Sequence, residues 1–83
     1  MKEALVLLIT AWRKAMHLDS TLMSAGYSET PYFDIAARIA DSIYLMLGEK
    51  ADTFGESVTC HVLSDLSLTD EQAAEVFSAR LVQ

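Results

Sequence analysis

Three polar side chains in the second half of the chain have the residue types of a hydrolytic triad. Ser57, His61 and Asp65 are spaced four residues apart, so on a helix they would follow one side. Such a row would offer a nucleophile, a base and an orienting carboxylate. Acyl transfer also needs oxyanion donors and a strained nucleophile turn, and the sequence around Ser57 contains neither. We therefore interpret the row as the polar edge of a helix, and we predict no catalytic residues and no enzymatic activity.

The same region holds the only cysteine, which is followed directly by a histidine. Adjacent side chains diverge by about 100° on a helix, so Cys60 and His61 would not chelate one metal ion together. His17 is the only other histidine, and the chain has no Cys-x-x-Cys or Glu-x-x-His spacing. We predict no metal site and no cofactor, and we expect Cys60 to be a small buried hydrophobic residue.

The charge of the chain is acidic and unevenly distributed. The formal net charge is −6, from 12 acidic and 6 basic residues. From residue 51 onward, Arg80 is opposed by Asp52, Glu56, Asp65, Asp70, Glu71 and Glu75. Such a surface repels phosphate, so we predict no direct DNA binding, although the last two segments could mimic a helix-turn-helix. The acidic half could instead imitate nucleic acid or bind a basic protein.

The composition is more apolar than a domain of this size can bury. The 83 residues fit one domain, residues 1–83, which buries about 60% of its unfolded surface. Hydrophobic residues make up 52% of the chain and the mean hydropathy is +0.24. The apolar run from Ala4 to Trp12 is shorter than the roughly 20 residues that cross a bilayer, so we predict no membrane association. With one cysteine, a reducing cytoplasm is the expected location. The apolar surplus predicts a protein interface.

The first helical segment is predicted from Lys2 to Ala25 and ends before Gly26. At 100° per residue its apolar side chains cover an arc of roughly 200°, about twice what a surface helix needs. Asp19 projects from the middle of this arc. Either the helix breaks near Leu18 and Asp19 caps a second piece, or Asp19 is buried and paired. We predict a partner for its carboxylate: a helix N-terminus, a tyrosine hydroxyl or Arg38.

The second segment is predicted to begin after Thr30, an N-cap residue, with Pro31 at the first helical position. It ends at Gly48, and its apolar arc is again roughly 200° wide. On the opposite face, the spacing predicts ion pairs among Asp34, Arg38 and Asp41.

The two remaining segments are shorter. Residues 57–64 are rich in β-branched side chains and partly alternate like a strand. Against a strand, Thr53 and Glu56 form a capping-box pattern, and apolar residues recur every four positions at Phe54, Val58, Val62 and Leu66. We favour a helix. A second capping box, Thr69 with Gln72, opens the last segment, whose predicted buried face is Ala73, Val76, Phe77 and Leu81.

These elements predict an all-α fold, a compact bundle of about four helices with the first two long and the last two shorter. The function that we infer is a non-catalytic protein–protein interaction module that forms homodimers and binds a further protein partner. The alternative is a small acidic regulator or inhibitor that acts on a nucleic-acid-handling protein. The candidate interface residues are Leu8, Trp12, Ile39 and Ile43.

Overall fold

The computed structural model describes residues 2–48 and 56–81, and in the second range it describes the side chains of residues 59–79. These residues form helices and turns, and none of them forms a strand. The helices are α1 (Lys2–Ser24), α2 (Pro31–Leu47), α3 (Glu56–Ser64) and α4 (Asp70–Leu81). Among the described residues, the predicted bundle of four helices, two long and two shorter, is confirmed.

Glycine ends α1 as the sequence predicts. Gly26 adopts a φ of +104°, a conformation that residues with a Cβ rarely adopt. Its N–H donates to the carbonyl of Met23 at 3.1 Å, and the N–H of Tyr27 donates to the carbonyl of Leu22 at 3.1 Å. This pair of bonds is a Schellman motif, which satisfies the last carbonyls of α1 and turns the chain toward α2.

The start and end of α2 also follow the sequence pattern. Thr30 occupies the N-cap position with extended backbone angles, and Pro31 is the first helical residue. Gly48 ends the helix with a φ of +59°, and its N–H donates to the carbonyl of Tyr44 at 3.0 Å. The hydroxyl of Thr30 forms no capping bond with the backbone of α2, and it donates to the carboxylate of Asp19 on α1.

The third segment is a helix, as favoured. Thr59 and Leu63 face the core, and Val62, one of the recurring apolar residues, is partly buried against it. The prediction for Leu66 is wrong, because α3 ends at Ser64 and Leu66 lies in the following turn with 81% of its surface exposed. Of the remaining predictions for this segment, Thr53 and Phe54 lie outside the described residues, as do the side chains of Glu56 and Val58.

The capping box of α4 is confirmed on both sides. The N–H of Gln72 donates to the Thr69 hydroxyl at 3.1 Å, and the N–H of Thr69 donates to the side-chain carbonyl of Gln72 at 2.9 Å. Ala73 and Phe77 are fully buried, as predicted. Val76 is partly buried against the core, and the side chain of Leu81 lies outside the described residues.

All four of the described helices contribute buried side chains to one hydrophobic core. Its buried members are Leu5, Ile9, Ile43, Leu47, Leu63, Ala73, Ala74 and Phe77. They come from the first half of α1, the second half of α2, and the two short helices. The molecule is nevertheless elongated, measuring 44 × 22 × 19 Å.

The rest of α1 and α2 extends beyond this core as a two-helix projection. We call residues 19–36 the hairpin tip: they comprise the end of α1, the connecting loop and the start of α2. Ala36 is the only one of these residues that is buried. The core therefore lies at one end of the molecule, and the hairpin tip forms the other.

A membrane-spanning element is not among the helices described. Within residues 2–48 and 56–81, no helix combines the length and the apolar character that are needed to cross a bilayer.

Candidate functional site

The turn between α3 and α4 is held in place by one arginine of α1. The guanidinium of Arg13, whose side chain is only 12% exposed, donates to four backbone carbonyls. The acceptors and their distances are Val62 at 3.3 Å, Leu63 at 3.0 Å, Asp65 at 3.0 Å and Leu68 at 2.7 Å. Two of these carbonyls belong to the last turn of α3, where the regular helical hydrogen bonds end; the carbonyl of Val62 also accepts a bond from the N–H of Asp65 at 3.4 Å. Arg13 thereby closes the C-terminus of α3 and fixes the turn against α1.

The same arginine joins this turn to the start of α4. Nη1 of Arg13 lies 2.9 Å from Oδ1 of Asp70, and the hydroxyl of Thr10 donates to the other carboxylate oxygen. One helical turn further along α4, Glu75 pairs with Lys2 at 2.9 Å. The bond to Glu75 raises the pKa of the Lys2 ammonium above its ordinary value. This exposed pair contributes little stability, so Arg13 and Asp70 are the main polar link between α1 and α4.

Asp65 shapes the turn from within. Its Oδ1 accepts hydrogen bonds from both the hydroxyl and the backbone N–H of Ser67, the latter at 3.0 Å. These two bonds favour the ionised carboxylate and lower the pKa of Asp65, with a smaller contribution from the charge of Arg13. The carboxylate of Asp65 therefore stabilises the turn, and no hydrogen bond joins it to His61. The side chain of Ser57, the third member of the triad-like row, lies outside the described residues.

A groove opens where this turn meets α1. We call it the Trp12 groove, and its volume is about 390 Å³. Its lining consists of Trp12, Arg13, Met16, His17, Ser20, Leu63, Ser64 and Leu66. The exposed surface of the lining is mainly apolar, and its one permanent charge, the guanidinium of Arg13, already donates to backbone carbonyls and to Asp70. The groove thus presents aromatic and aliphatic surface with little uncompensated charge.

The four candidate interface residues occupy two different environments. Ile43 is 0% exposed and belongs to the core, so it is inaccessible to a partner in this conformation. Leu8, Trp12 and Ile39 are partly buried and pack against the core from its margin. Of these three, Trp12 lines a groove.

Other large hydrophobic side chains are more exposed than the candidates. They are Leu7, Met23, Tyr27, Phe33, Ile35, Leu45 and Leu66. Four of the seven belong to the hairpin tip, where α3 and α4 do not cover α1 and α2. The width of the apolar arcs in α1 and α2 signalled this surplus, but periodicity alone does not indicate which margin of an arc remains uncovered.

Asp19 lies within an uninterrupted α1, so the alternative of a helix break is wrong. Its side chain is half-buried, and its carboxylate accepts a hydrogen bond from the hydroxyl of Thr30, the N-cap residue of α2. The carboxylate therefore has a partner, but the donor is a threonine hydroxyl, which is none of the three expected groups. The bond ties the end of α1 to the start of α2.

A second cavity lies at the hairpin tip, and its lining is acidic. We call it the acidic cleft; its volume is about 320 Å³. Its lining residues are Asp19, Met23, Ser28, Glu29, Thr30, Phe33 and Asp34. Neither Glu29 nor Asp34 forms an ion pair with any described residue, so the ion pairs predicted between Asp34, Arg38 and Asp41 are absent.

The prediction that Cys60 is buried is wrong. Because Thr59 and Leu63 face the core, Cys60 is turned outward by one helical position and is exposed. Its Sγ lies 3.8 Å from the hydroxyl oxygen of Tyr44. Across the described residues, no group of three or more histidine, cysteine or acidic side chains is arranged to hold a metal ion.

Comparison of the chain with protein-family models, with curated proteins and with solved structures finds no match.

Proposed function

We propose that this protein is a non-catalytic helical interaction module that forms a homodimer through the Trp12 groove. The observation that carries the proposal is Leu66, which is 81% exposed on the rim of an apolar groove that also contains Trp12 and Met16. Arg13 fixes the turn that presents Leu66, so this exposed leucine is held by the fold. Aromatic and methionine side chains in such a setting are typical of protein interfaces.

A second copy suits this groove for reasons of charge and symmetry. Two copies that meet across it would not oppose like charges, because Arg13 is already paired with Asp70. A two-fold contact would place Leu66 of each copy in the groove of the other, which closes the assembly. Since the contact owes little to charge, the dimer should persist at high salt.

The experiment compares two leucines of equal exposure. Leu66 is 81% exposed beside the groove, and Leu45 is 82% exposed on the outer side of α2. Light scattering after size exclusion at micromolar concentration should give a dimeric mass for the wild type and for Leu45→Glu, and a monomeric mass for Leu66→Glu. A monomeric wild type would refute the homodimer. If Leu45→Glu dissociates the dimer and Leu66→Glu does not, the interface lies on α2.

The alternative function, an acidic regulator or inhibitor of a nucleic-acid-handling protein, has less support. Its acidic half includes Asp65, Asp70 and Glu75, and each of these carboxylates has a partner within the chain. Carboxylates that are engaged in this way are less available to imitate a row of phosphates. Binding to a cation-exchange ligand with a steep salt dependence would favour the alternative.

A further inference from the structure

We propose that the acidic cleft of the hairpin tip binds a protein segment that carries an arginine beside an apolar side chain. This inference rests on the proposed function as an interaction module, supplies the chemistry of a partner other than a second copy, and concerns a surface distinct from the Trp12 groove. Two kinds of observation on the same cleft support it: exposed apolar surface and uncompensated negative charge.

The apolar part of the cleft comes from both helices. Met23 of α1 is 49% exposed and Phe33 of α2 is 59% exposed, and both line the cavity. Neither side chain belongs to the core, which lies toward the other end of the molecule. An aromatic face and a thioether at one opening would bind an apolar or a flat cationic group.

The charged residues of the cleft determine which of these two groups it would bind. Asp19, Glu29 and Asp34 give the lining three carboxylates, and no basic side chain lines the cavity. The N-terminus of α2 lies at the same place and contributes a dipole equivalent to about half a positive charge. It therefore offsets only a small part of the negative charge. The complement is a cation.

The geometry favours an extended cationic group over a metal ion. Among the described residues, these carboxylates do not converge as a metal-binding group. A guanidinium can form bidentate bonds with a carboxylate, stacks on an aromatic ring and is weakly hydrated. The cavity volume of about 320 Å³ lies at the lower end of the range for ligand sites, which suits one or two side chains of a segment.

A second copy of this chain is a poor occupant of the acidic cleft. Two clefts that met about a two-fold axis would bring both sets of carboxylates together, and like charges in close contact oppose association. The acidic cleft and the Trp12 groove therefore differ in the kind of partner that each would bind. The Trp12 groove suits the same apolar surface of a second copy, whereas the acidic cleft suits a basic and apolar segment from another protein.

The experiment uses the full chain labelled with ¹⁵N and the peptide acetyl-Leu-Arg-Leu-Leu-Arg-amide. Its control is the same peptide with citrulline, the neutral isostere of arginine, at both arginine positions. At low salt the arginine peptide should shift the amide signals of residues 19–36, and the citrulline peptide should bind at least fivefold more weakly. Glu29→Gln and Asp34→Asn should each raise the Kd by about three- to fivefold.

Matched variants separate the cleft from general charge. Asp41→Asn removes the same charge from α2 outside the cleft, and it should change the Kd by less than twofold. Phe33→Ser should weaken binding at least threefold, whereas Leu45→Ser should not. Circular dichroism of each variant verifies that the helices are intact, which is expected because all of these side chains are exposed.

Several outcomes would overturn the inference. Equal binding of the citrulline peptide, or an equal effect of Asp41→Asn, would show that no specific cation site exists. Equivalent shifts on addition of Ca²⁺ alone would assign the cleft to a metal. Shifts at residues 19–36 that follow protein concentration without peptide would assign it to a second copy. Repeating the titration on Leu66→Glu keeps this test separate from the homodimer, because peptide binding should be unchanged in that variant.

Discussion

The two ends of this molecule are held together by different interactions. At the core end, four helices share a hydrophobic core, and Arg13 alone contributes five hydrogen bonds to the turn between α3 and α4 and to Asp70. At the hairpin tip, two helices meet with a single side-chain bond between them, from Thr30 to Asp19, and leave Met23 and Phe33 in solvent. The comparison shows that a small chain can bury the apolar side chains at one end of its fold and leave those at the other end exposed.

The difference follows from what each helix can bury. α1 has 23 residues, and the last two helices, with 9 and 12 residues, cover only part of its length. Apolar side chains that α3 and α4 reach become core, and equivalent side chains beyond their reach stay exposed. The apolar surplus in the composition is therefore concentrated in places, with the largest share at the hairpin tip.

The largest expected effect comes from two isoleucines of α2. Ile43→Ala removes a fully buried side chain at the core end, and we expect a loss of about 2–5 kcal/mol in the free energy of unfolding. Ile35→Ala, at the hairpin tip, removes a side chain that is 43% exposed and should cost less than about 1 kcal/mol. Urea denaturation measures both. Equal losses would mean that the tip is as tightly packed as the core, which would remove the contrast.

The second effect tests the polar link of the core end. Arg13→Gln removes the guanidinium that donates all five bonds, and it leaves the part-buried carbonyls of Leu63 and Leu68 without this donor, so we expect a loss of about 3 kcal/mol. Lys14→Gln removes a charge from the neighbouring, exposed position and serves as the control, with an expected change within about 0.5 kcal/mol. If thermal unfolding gave the two variants the same midpoint, the bonds of Arg13 would contribute no net stability.

A smaller effect compares one hydroxyl from each end. Thr30→Val removes the donor to Asp19 and leaves a half-buried carboxylate without its bond, which should cost about 1 kcal/mol. Thr10→Val removes a donor to Asp70, but Asp70 keeps Arg13, so the loss should be below about 0.5 kcal/mol. A double-mutant cycle with Asp19→Ala would attribute the first loss to the bond, and a coupling energy of zero would contradict that assignment.

The smallest effect depends on pH. The bonds from Ser67 lower the pKa of Asp65 below its ordinary value of 3.8 in the folded state. The stabilisation is therefore present above about pH 4 and is lost as the pH falls through the lower, folded-state pKa. Ser67→Ala should reduce the free energy of unfolding slightly at neutral pH, and the difference from wild type should shrink in acid. A difference that stays constant from pH 6 to pH 2 would show that the ionisation of Asp65 is not involved.

The sequence predicts the helices well where their ends depend on local chemistry. Gly26 and Gly48 end helices because they can adopt positive φ, and Pro31 begins one because its ring fixes φ. The box of Thr69 and Gln72 works in the same way, since both partners lie within one turn. These signals depend only on residues that are close in sequence, so the helix ends can be predicted from the sequence alone.

The candidate site depends on contacts that neighbouring residues do not determine. Arg13 lies on the polar side of α1 by periodicity, and its acceptors are 49 to 57 residues away, so no local pattern indicates its role. The four-residue repeat predicts that Leu66 lies on α3, and Cys60 is expected to be buried. The helix ends before Leu66 and turns Thr59 and Leu63 to the core, so the side chains of Leu66 and Cys60 are both exposed. Asp19 was recognised because a carboxylate within an apolar arc requires a partner, and that requirement is physical.

The long separation between Arg13 and its acceptors also has a consequence for the order of folding. During synthesis, α1 and α2 can pair through a short loop as soon as residue 48 has emerged, whereas the face of α1 that packs against α4 stays uncovered until residues 70–81 have emerged. Loops of about 50 residues are slower to close than the hairpin loop. We therefore expect pulse-labelled hydrogen exchange during refolding to protect the amides of α1 and α2 first and those of α4 last. Simultaneous protection of all four helices would instead indicate a single concerted step.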